Sequence, residues 1–258
     1  MKWYIKNMKL IDGIVMVISV LALAIAVFKD FYSLLIAFSC GALLILLAIF
    51  SNFAQKRALK KANQIYENEC NSSELMEIAG AIYKSNSKRA NFIINYSTAL
   101  LNTSLEHYKM VKDALYQMKT TNIPITSPYM EACFCLNLCK IYLNEGDCDS
   151  AEECYRKAYT SYEKISNEEQ VKYIKNELLI CLTELYILIG SIDSAKRELE
   201  SIDNDTKRRK LEAIYLEARI DLLDEKKEIA YEKLSLVTNE ASQITLGQKA
   251  KKLLNIQE

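Results

Sequence analysis

Proline and glycine are scarce in this chain: it has 2 prolines and 6 glycines among 258 residues. Sheets with tight turns need both residue types for their connections, so their scarcity favours long helices. The glycines are also scattered, and they form neither a GxGxxG pattern nor a P-loop. A glycine-rich phosphate loop is therefore excluded, and with it the nucleotide-binding enzymes that depend on one.

Histidine is nearly absent as well. The single histidine, His107, follows Glu106 and precedes Asp113, a setting typical of a helix surface rather than of an acid–base pair. We find no other constellation of catalytic residues and expect that the chain is not an enzyme and carries no cofactor.

The 8 cysteines do not indicate a metal site either. None of them forms the paired CxxC spacing of a zinc site, and a chain of this length is not a small secreted disulfide scaffold. We interpret them as reduced thiols that pack as small apolar residues, with a metal or redox-sensing role as the alternative. No metal site is predicted.

Charge of one sign is not in excess, because 33 basic residues balance 33 acidic ones. A surface that binds nucleic acid needs a concentrated basic stripe, and the chain after residue 53 is close to neutral overall. Nucleic acid is therefore not an expected partner.

Two long apolar runs stand at the N-terminus. Residues 10–28 and 31–50 are each about 19–20 residues long, enough for a helix to cross the hydrocarbon core of a bilayer. Only Lys29 and Asp30 separate them, so we predict a transmembrane helical hairpin over residues 1–53. A pair of buried core helices is the alternative, and Asp12 could also mark an ion path.

The flanking charges predict the orientation of this hairpin. Three lysines precede the first run, and Lys56, Arg57, Lys60 and Lys61 follow the second. The positive-inside rule places both flanks in the cytosol, which makes the protein a multi-pass protein of the cell membrane with cytosolic N- and C-termini. Small residues at Ser33, Ala37 and Gly41 could also bring hairpins together as a homo-oligomer.

The chain after the hairpin becomes amphipathic. Residues 54–128 are predicted as a linker helix over 54–70 and degenerate helical pairs at 74–85 and 88–119, followed by a loop that contains Pro124 and Pro128. Ser127 is positioned as an N-cap before Pro128. Residues 129–258 then form repeated helix pairs with a capping helix near 240–256.

The repeats share a spacing of apolar, small and aromatic residues. The first copy has Leu138, Cys139 and Tyr142, a turn at Gly146–Asp147, and then Ala151 and Tyr155; the second has Leu182, Thr183, Tyr186, Gly190 and Ala195. A third, weaker copy contains Ala218 and Ala230. The intervals between the alanines imply helices longer than usual in the first copy, with a restart at Asn167.

This spacing over residues 129–237 resembles the tetratricopeptide repeat (TPR) family. The resemblance implies an all-α fold: the two-helix transmembrane hairpin followed by a TPR-like α-solenoid, whose first helices line a concave groove. The carboxylate clamp of that family would need Lys and Asn where this chain has Leu136, Lys140, Cys181, Glu212 and Leu216, so binding of chaperone tails is not expected.

The resemblance also implies where a protein or peptide partner would bind. On these registers the groove is lined by three stripes, each with a charge between two apolar residues: Leu136, Lys140, Leu143; Ile180, Glu184, Ile187; and Tyr215, Arg219, Leu222. The alternative is that the chain's own N-terminal helices or its 240–256 helix fill the groove. The expected function is a membrane-tethered protein–protein interaction scaffold or assembly factor, of bacterial composition. The alternative function is a regulatory or immunity-type protein that senses a peptide or inhibits a membrane complex.

Overall fold

The computed structural model describes residues 13–14, 16–20, 32–86 and 89–255, and among these the side chains of 32–38, 40, 85 and 86 are not placed. The described part of the chain is helical throughout and has no strand, which confirms the all-α class. The scarcity of glycine and proline is the local cause, since little in the sequence interrupts a helix once it has begun.

Eleven α-helices are described from residue 32 onward. They are α1 (Tyr32–Glu69), α2 (Ser73–Asn86), α3 (Ala90–Thr103), α4 (Tyr108–Thr120), α5 (Pro128–Glu145), α6 (Cys148–Tyr162), α7 (Glu168–Leu188), α8 (Ile192–Glu200), α9 (Lys207–Leu223), α10 (Lys227–Glu240) and α11 (Thr245–Asn255). Residues 13–14 and 16–20 are also helical.

The helix α1 is 38 residues long and has two unlike ends. Its first half exposes large apolar side chains such as Leu46, Ile49 and Phe53, whereas its second half buries Ala58 and Ala62 against the rest of the chain. In the described residues, one helix, over Gly41–Glu69, is long and apolar enough to cross a membrane.

The predicted hairpin is thus described only in part. Residues 32–50 of the second run fall in α1, which continues without a break to Glu69, so the predicted linker helix 54–70 prolongs the same helix. Most of the run 10–28 and the turn at 29–30 lie outside the described residues. Of that first run, Ile14, Met16, Val17, Ile18 and Val20 are exposed.

The second half of the chain contains three helix pairs: α5 packs on α6, α7 on α8, and α9 on α10. Gly146, Gly190 and Glu225 each stand between the two helices of a pair in the left-handed region, at φ 77°, 74° and 60°. Glycine suits this conformation because it has no Cβ, and Glu225 adopts it at some cost. Early in each second helix an alanine is fully buried: Ala151, Ala195 and Ala230.

Several details of the predicted boundaries are confirmed. Pro128 begins α5, and the side chain of Asn167 caps α7 by accepting a hydrogen bond from the backbone of Gln170. The segment 88–119, interpreted as a degenerate helical pair, forms the two helices α3 and α4, which are separated at Ser104, where the backbone is extended. The break is stabilised by a tertiary contact, because the amide of Leu105 donates to Gln248 Oε1 in α11 at 3.0 Å.

The two halves of the chain meet at both ends. The hydroxyl of Thr245, at the start of α11, donates to the carbonyl of Leu101 in α3 at 2.6 Å. Ser72, which precedes α2, donates to the carbonyl of Gln243 at 3.0 Å. The C-terminal helix α11 packs on α10, the last helix of the three pairs, and therefore also contacts the N-terminal helices.

Candidate functional site

The residues predicted to line an open groove lie mostly in the interior. Leu136, Leu143, Ile180, Glu184, Ile187 and Tyr215 are buried, and Lys140, Arg219 and Leu222 are partly buried. The prediction of an exposed groove is therefore wrong for this structure, since the side chains that would contact a partner are covered by the chain itself.

Other helices of the chain cover these positions. Helix α3 packs on α5, α1 packs on α9, and α11 packs on α9. This is the arrangement given above as the alternative, in which the N-terminal helices and the 240–256 segment fill the groove. Of the charged members of the stripes, Glu184 pairs with Lys249 of the covering helix α11 and with Arg219, whereas Lys140 pairs with Glu177 of α7.

Arg208, at the start of α9, is the centre of a buried ion network. Its Nε donates to Glu67 Oε1 of α1 at 2.9 Å, and its Nη1 donates to Glu212 Oε2 at 2.5 Å. Its Nη2 lies 3.3 Å from Glu177 Oε1 of α7. The guanidinium also lies over the ring of Tyr66, 5.5 Å from its centroid. Three helices are thus joined through one side chain that is 5% exposed.

Lys140 of α5 joins the same network. Its Nζ lies 2.5 Å from Glu177 Oε2, and the Glu177 carboxylate is 3% exposed. Burial alone would raise the pKa of Glu177, but Lys140 and Arg208 outweigh it and lower the pKa to about 2. The reverse holds for Glu212, where burial outweighs the attraction of Arg208 and raises the pKa.

A second buried cluster lies beside the first. Glu184 of α7 accepts a hydrogen bond from Lys249 Nζ of α11 at 3.2 Å, and Arg219 Nη1 of α9 is 3.6 Å from the same oxygen. Burial would raise the pKa of Glu184, yet these two cations lower it. A cavity of about 40 Å³ separates the two clusters. The clusters satisfy their own charges, so they are structural and not an open binding surface.

A larger opening lies between the N-terminal helices α1–α3 and the helices α5 and α7. One cavity of about 270 Å³ and a second of about 530 Å³ adjoin, since Asn95 and Tyr129 line both. We call the two together the α3 cleft. Its wall includes residues of α1, α3, α5 and α7, and also the loop that follows α4. The polar lining residues are Lys60, Asn63, Tyr66, Glu67, Arg89, Asn91, Asn95, Thr98, Asn102, Thr126, Ser127, Tyr129, Gln170, Tyr173, Glu177 and Arg208.

A polar stripe on α3 forms one side of this cleft. Asn91, Asn95, Thr98 and Asn102 follow one another at intervals of four, three and four residues, which places them on one face of the helix. Within the described residues, the side-chain amides of Asn91, Asn95 and Asn102 have no hydrogen-bond partner. By contrast, the amide nitrogen of the buried Asn137 donates to Ile94 and Thr98.

Sequence reasoning missed this stripe. The segment 88–119 was interpreted only as an eroded helical pair. The polar face could have indicated the stripe, because three asparagines recur there at helical spacing although asparagine has a low helix propensity.

Comparisons with protein-family profiles, with curated proteins and with solved structures find no match for this chain. The interpretation of the site consequently rests on its geometry and chemistry alone.

Proposed function

We propose that this protein is a membrane-tethered protein–protein interaction module that binds an extended, uncharged segment of a partner protein in the α3 cleft. Residues 10–28 and 31–50 would form a two-helix transmembrane anchor, with both termini cytosolic, and the helices beyond it a TPR-like solenoid. The exposed apolar face of α1 supports the anchor. The three helix pairs, each with a left-handed turn residue and a buried alanine, support the repeat interpretation.

The observation that carries the proposal is the unpaired asparagine stripe. A primary amide can donate and accept hydrogen bonds at once, and a peptide group presents one donor and one acceptor in return. Asparagine side chains along a cleft are therefore suited to binding polypeptide backbone irrespective of its side chains.

The spacing of the stripe also fits an extended chain. Along a helix, Asn91 and Asn95 are about 6 Å apart and Asn95 and Asn102 about 10.5 Å. An extended chain advances about 6.6 Å over two residues and about 10 Å over three. The asparagines could consequently meet peptide groups two and three residues apart on one bound segment.

The charges that line the cleft indicate the character of the segment. Arg208, Glu67 and Glu177 neutralise one another in the ion network, and Lys60 lies 4.0 Å from Glu169 at the surface. The buried charges of the lining are therefore matched, whereas Arg89, which is exposed, has no ion pair among the described residues. A charged side chain of a ligand in the buried part of the cleft would lose hydration without a partner.

One observation favours the second candidate function, that of a peptide-sensing regulator of a membrane complex. Residues 59–67 of α1 contribute to the wall of the cleft, and the same helix contains the predicted membrane span. A ligand in the cleft would touch the helix that leaves the membrane, so its binding could be transmitted to the anchor.

The binding proposal is tested with the full-length chain in lipid nanodiscs on an array of random hexapeptides. We expect enrichment of uncharged peptides, and we expect Asn95→Ala with Asn102→Ala to reduce their retention at least tenfold. The control is Asn144→Ala, an exposed helical asparagine on α5 outside the cleft. Equal retention by the double variant and by the wild type would refute the cleft as the binding site.

The anchor is tested separately by fusing a reporter that is active only in the cytosol after residue 258. We expect an active fusion in the membrane fraction. A stable fusion that is inactive would contradict the proposed orientation, while leaving the cleft and its peptide assay unaffected.

A further inference from the structure

Four basic residues lie on α1 immediately after its exposed apolar half. Lys56, Arg57, Lys60 and Lys61 are all exposed, and they are arranged as two pairs one helical turn apart, so they share one side of the helix. We call these four residues the basic arc. The opposite side of the same segment, which includes Ala54, Ala58 and Ala62, is buried.

The basic arc has almost no acidic partner. The sequence contains no Asp or Glu between residues 31 and 66. Among the described residues, Lys60 lies 4.0 Å from Glu169, and both side chains are largely exposed; Lys56, Arg57 and Lys61 form no ion pair. Elsewhere on the surface, exposed bases such as Arg156 and Lys172 are paired with carboxylates at 2.6–3.2 Å.

The distance of the arc from the apolar surface matches the depth of a lipid headgroup layer. Phe53 is the last large exposed apolar residue of α1. At 1.5 Å per residue, Lys56 follows it by about 4.5 Å and Lys61 by about 12 Å. The polar region of a bilayer is about 5–8 Å deep on each side of the hydrocarbon core. The first pair of bases would therefore lie among the headgroups, and the second pair at their surface.

We propose that the basic arc binds the phosphate groups of anionic lipids and so fixes the height and orientation of the helical domain at the membrane. This inference rests on α1 crossing the membrane, as proposed above. The occupant is a lipid and not a free phosphate, because the arc adjoins the apolar surface and its bases diverge along the helix instead of converging on one point.

The test uses the full-length chain in a non-ionic detergent with equimolar phosphatidylglycerol and phosphatidylcholine, and native mass spectrometry to count the retained lipids. Each base near a membrane surface favours an anionic lipid by about fivefold. We expect the wild-type chain to retain phosphatidylglycerol about tenfold over phosphatidylcholine, with the preference declining as salt is added. The variant K56Q/R57Q/K60Q/K61Q should show no preference.

The matched control is K109Q/K227Q/K251Q/K252Q, which removes the same charge from exposed positions on other helices. It should keep the preference, and soluble glycerol phosphate should not displace the bound lipid. Loss of preference in the control would overturn the proposal in favour of an effect of net charge. Displacement by glycerol phosphate would overturn it in favour of a free-anion site, and an unchanged preference in the quadruple arc variant would refute it.

Failure of the anchor is distinguished by alkaline carbonate extraction of native membranes. A chain that resists extraction but shows no lipid preference contradicts only the basic arc. A chain that carbonate releases contradicts the membrane span of α1, and the lipid proposal with it.

Discussion

The two halves of α1 belong to one continuous helix but differ in which side chains they expose and bury. The N-terminal half carries leucine, isoleucine and phenylalanine and exposes them, whereas the C-terminal half carries Gln55, Tyr66 and Glu67 and buries them. Hydrophobicity alone would assign the reverse. The comparison shows that burial here depends on what each half contacts: the polar half packs against α9 and its Arg208, whereas Leu46, Ile49 and Phe53 of the apolar half remain exposed.

The largest loss of stability is expected from a substitution in the buried ion network that the polar half of α1 joins. Arg208→Ala removes a cationic partner from Glu67, Glu177 and Glu212 at once; Glu177 keeps Lys140, whereas Glu212 loses its ion pair in the interior. Loss of one member of a buried ion pair typically costs about 3–5 kcal/mol. We expect a destabilisation of at least that order, measured by thermal unfolding of the full-length chain in nanodiscs.

A different substitution at the same position makes this prediction sharper. Arg208→Lys preserves the charge but loses the forked geometry that contacts three carboxylates, so its stability should lie between those of the wild type and Arg208→Ala. If Arg208→Ala unfolded at the wild-type temperature, the network would not contribute to the stability of the domain.

The next largest effect is expected from a substitution in the apolar half of α1, where it should reduce membrane insertion. Leu46 is 62% exposed, and replacing it with arginine would put a charge in the bilayer at a cost of about 2.5–3.5 kcal/mol. We expect a smaller fraction of Leu46→Arg chains to resist carbonate extraction. Gln64→Arg, on the exposed side of the aqueous half, is the control and should insert like the wild type; equal behaviour of both variants would show that the apolar half does not enter a membrane.

Acidification should produce a smaller and graded loss of stability. The folded-state pKa of Glu177 is about 2, below its ordinary value of 4.5, and the pKa of Glu184 is lowered as well. A carboxylate with a lowered pKa stabilises the fold above its unfolded pKa, and this contribution is lost as the pH falls from about 4.5 towards 2. Glu212 has a raised pKa, so its contribution to stability increases as the pH falls towards about 4.5, above the range in which Glu177 loses its contribution.

The measurement is the thermal midpoint between pH 6 and pH 2 for the wild type and for Glu177→Gln. The variant should be less stable at pH 6 and should have a flatter dependence on pH. Parallel curves for the two proteins would mean that Glu177 does not titrate in the way its surroundings require.

The smallest effect is expected at a surface pair. Lys157 and Glu153, one turn apart on α6, form an ion pair in which both side chains are largely exposed. Water and salt screen such pairs, so Lys157→Ala should leave the thermal midpoint unchanged. A clear decrease of the thermal midpoint would indicate that exposed ion pairs stabilise this protein more than their exposure implies.

Local features of the chain were predictable from its sequence. Proline at position 128, the cap at Asn167, the turn glycines at 146 and 190 and the long apolar run 31–50 each act over a few residues, and the structure has the corresponding helix ends, turns and exposed helix. The burial of Cys135, Cys139 and Cys181 likewise agrees with their apolar helix positions.

The surroundings of each helix face required the tertiary structure. The sequence correctly grouped Lys140, Glu184 and Arg219 on shared faces, but a helix register states which residues lie side by side and not what covers them. Partners at separations of up to 144 residues, such as Leu101 with Thr245, close the chain on itself and turn the predicted groove into core. The α3 cleft arose for the same reason: the asparagine stripe is visible in the sequence, whereas the opposing wall exists only because α1, α5 and α7 pack around it. Periodicity is a local property of the chain, and burial depends on contacts between distant segments.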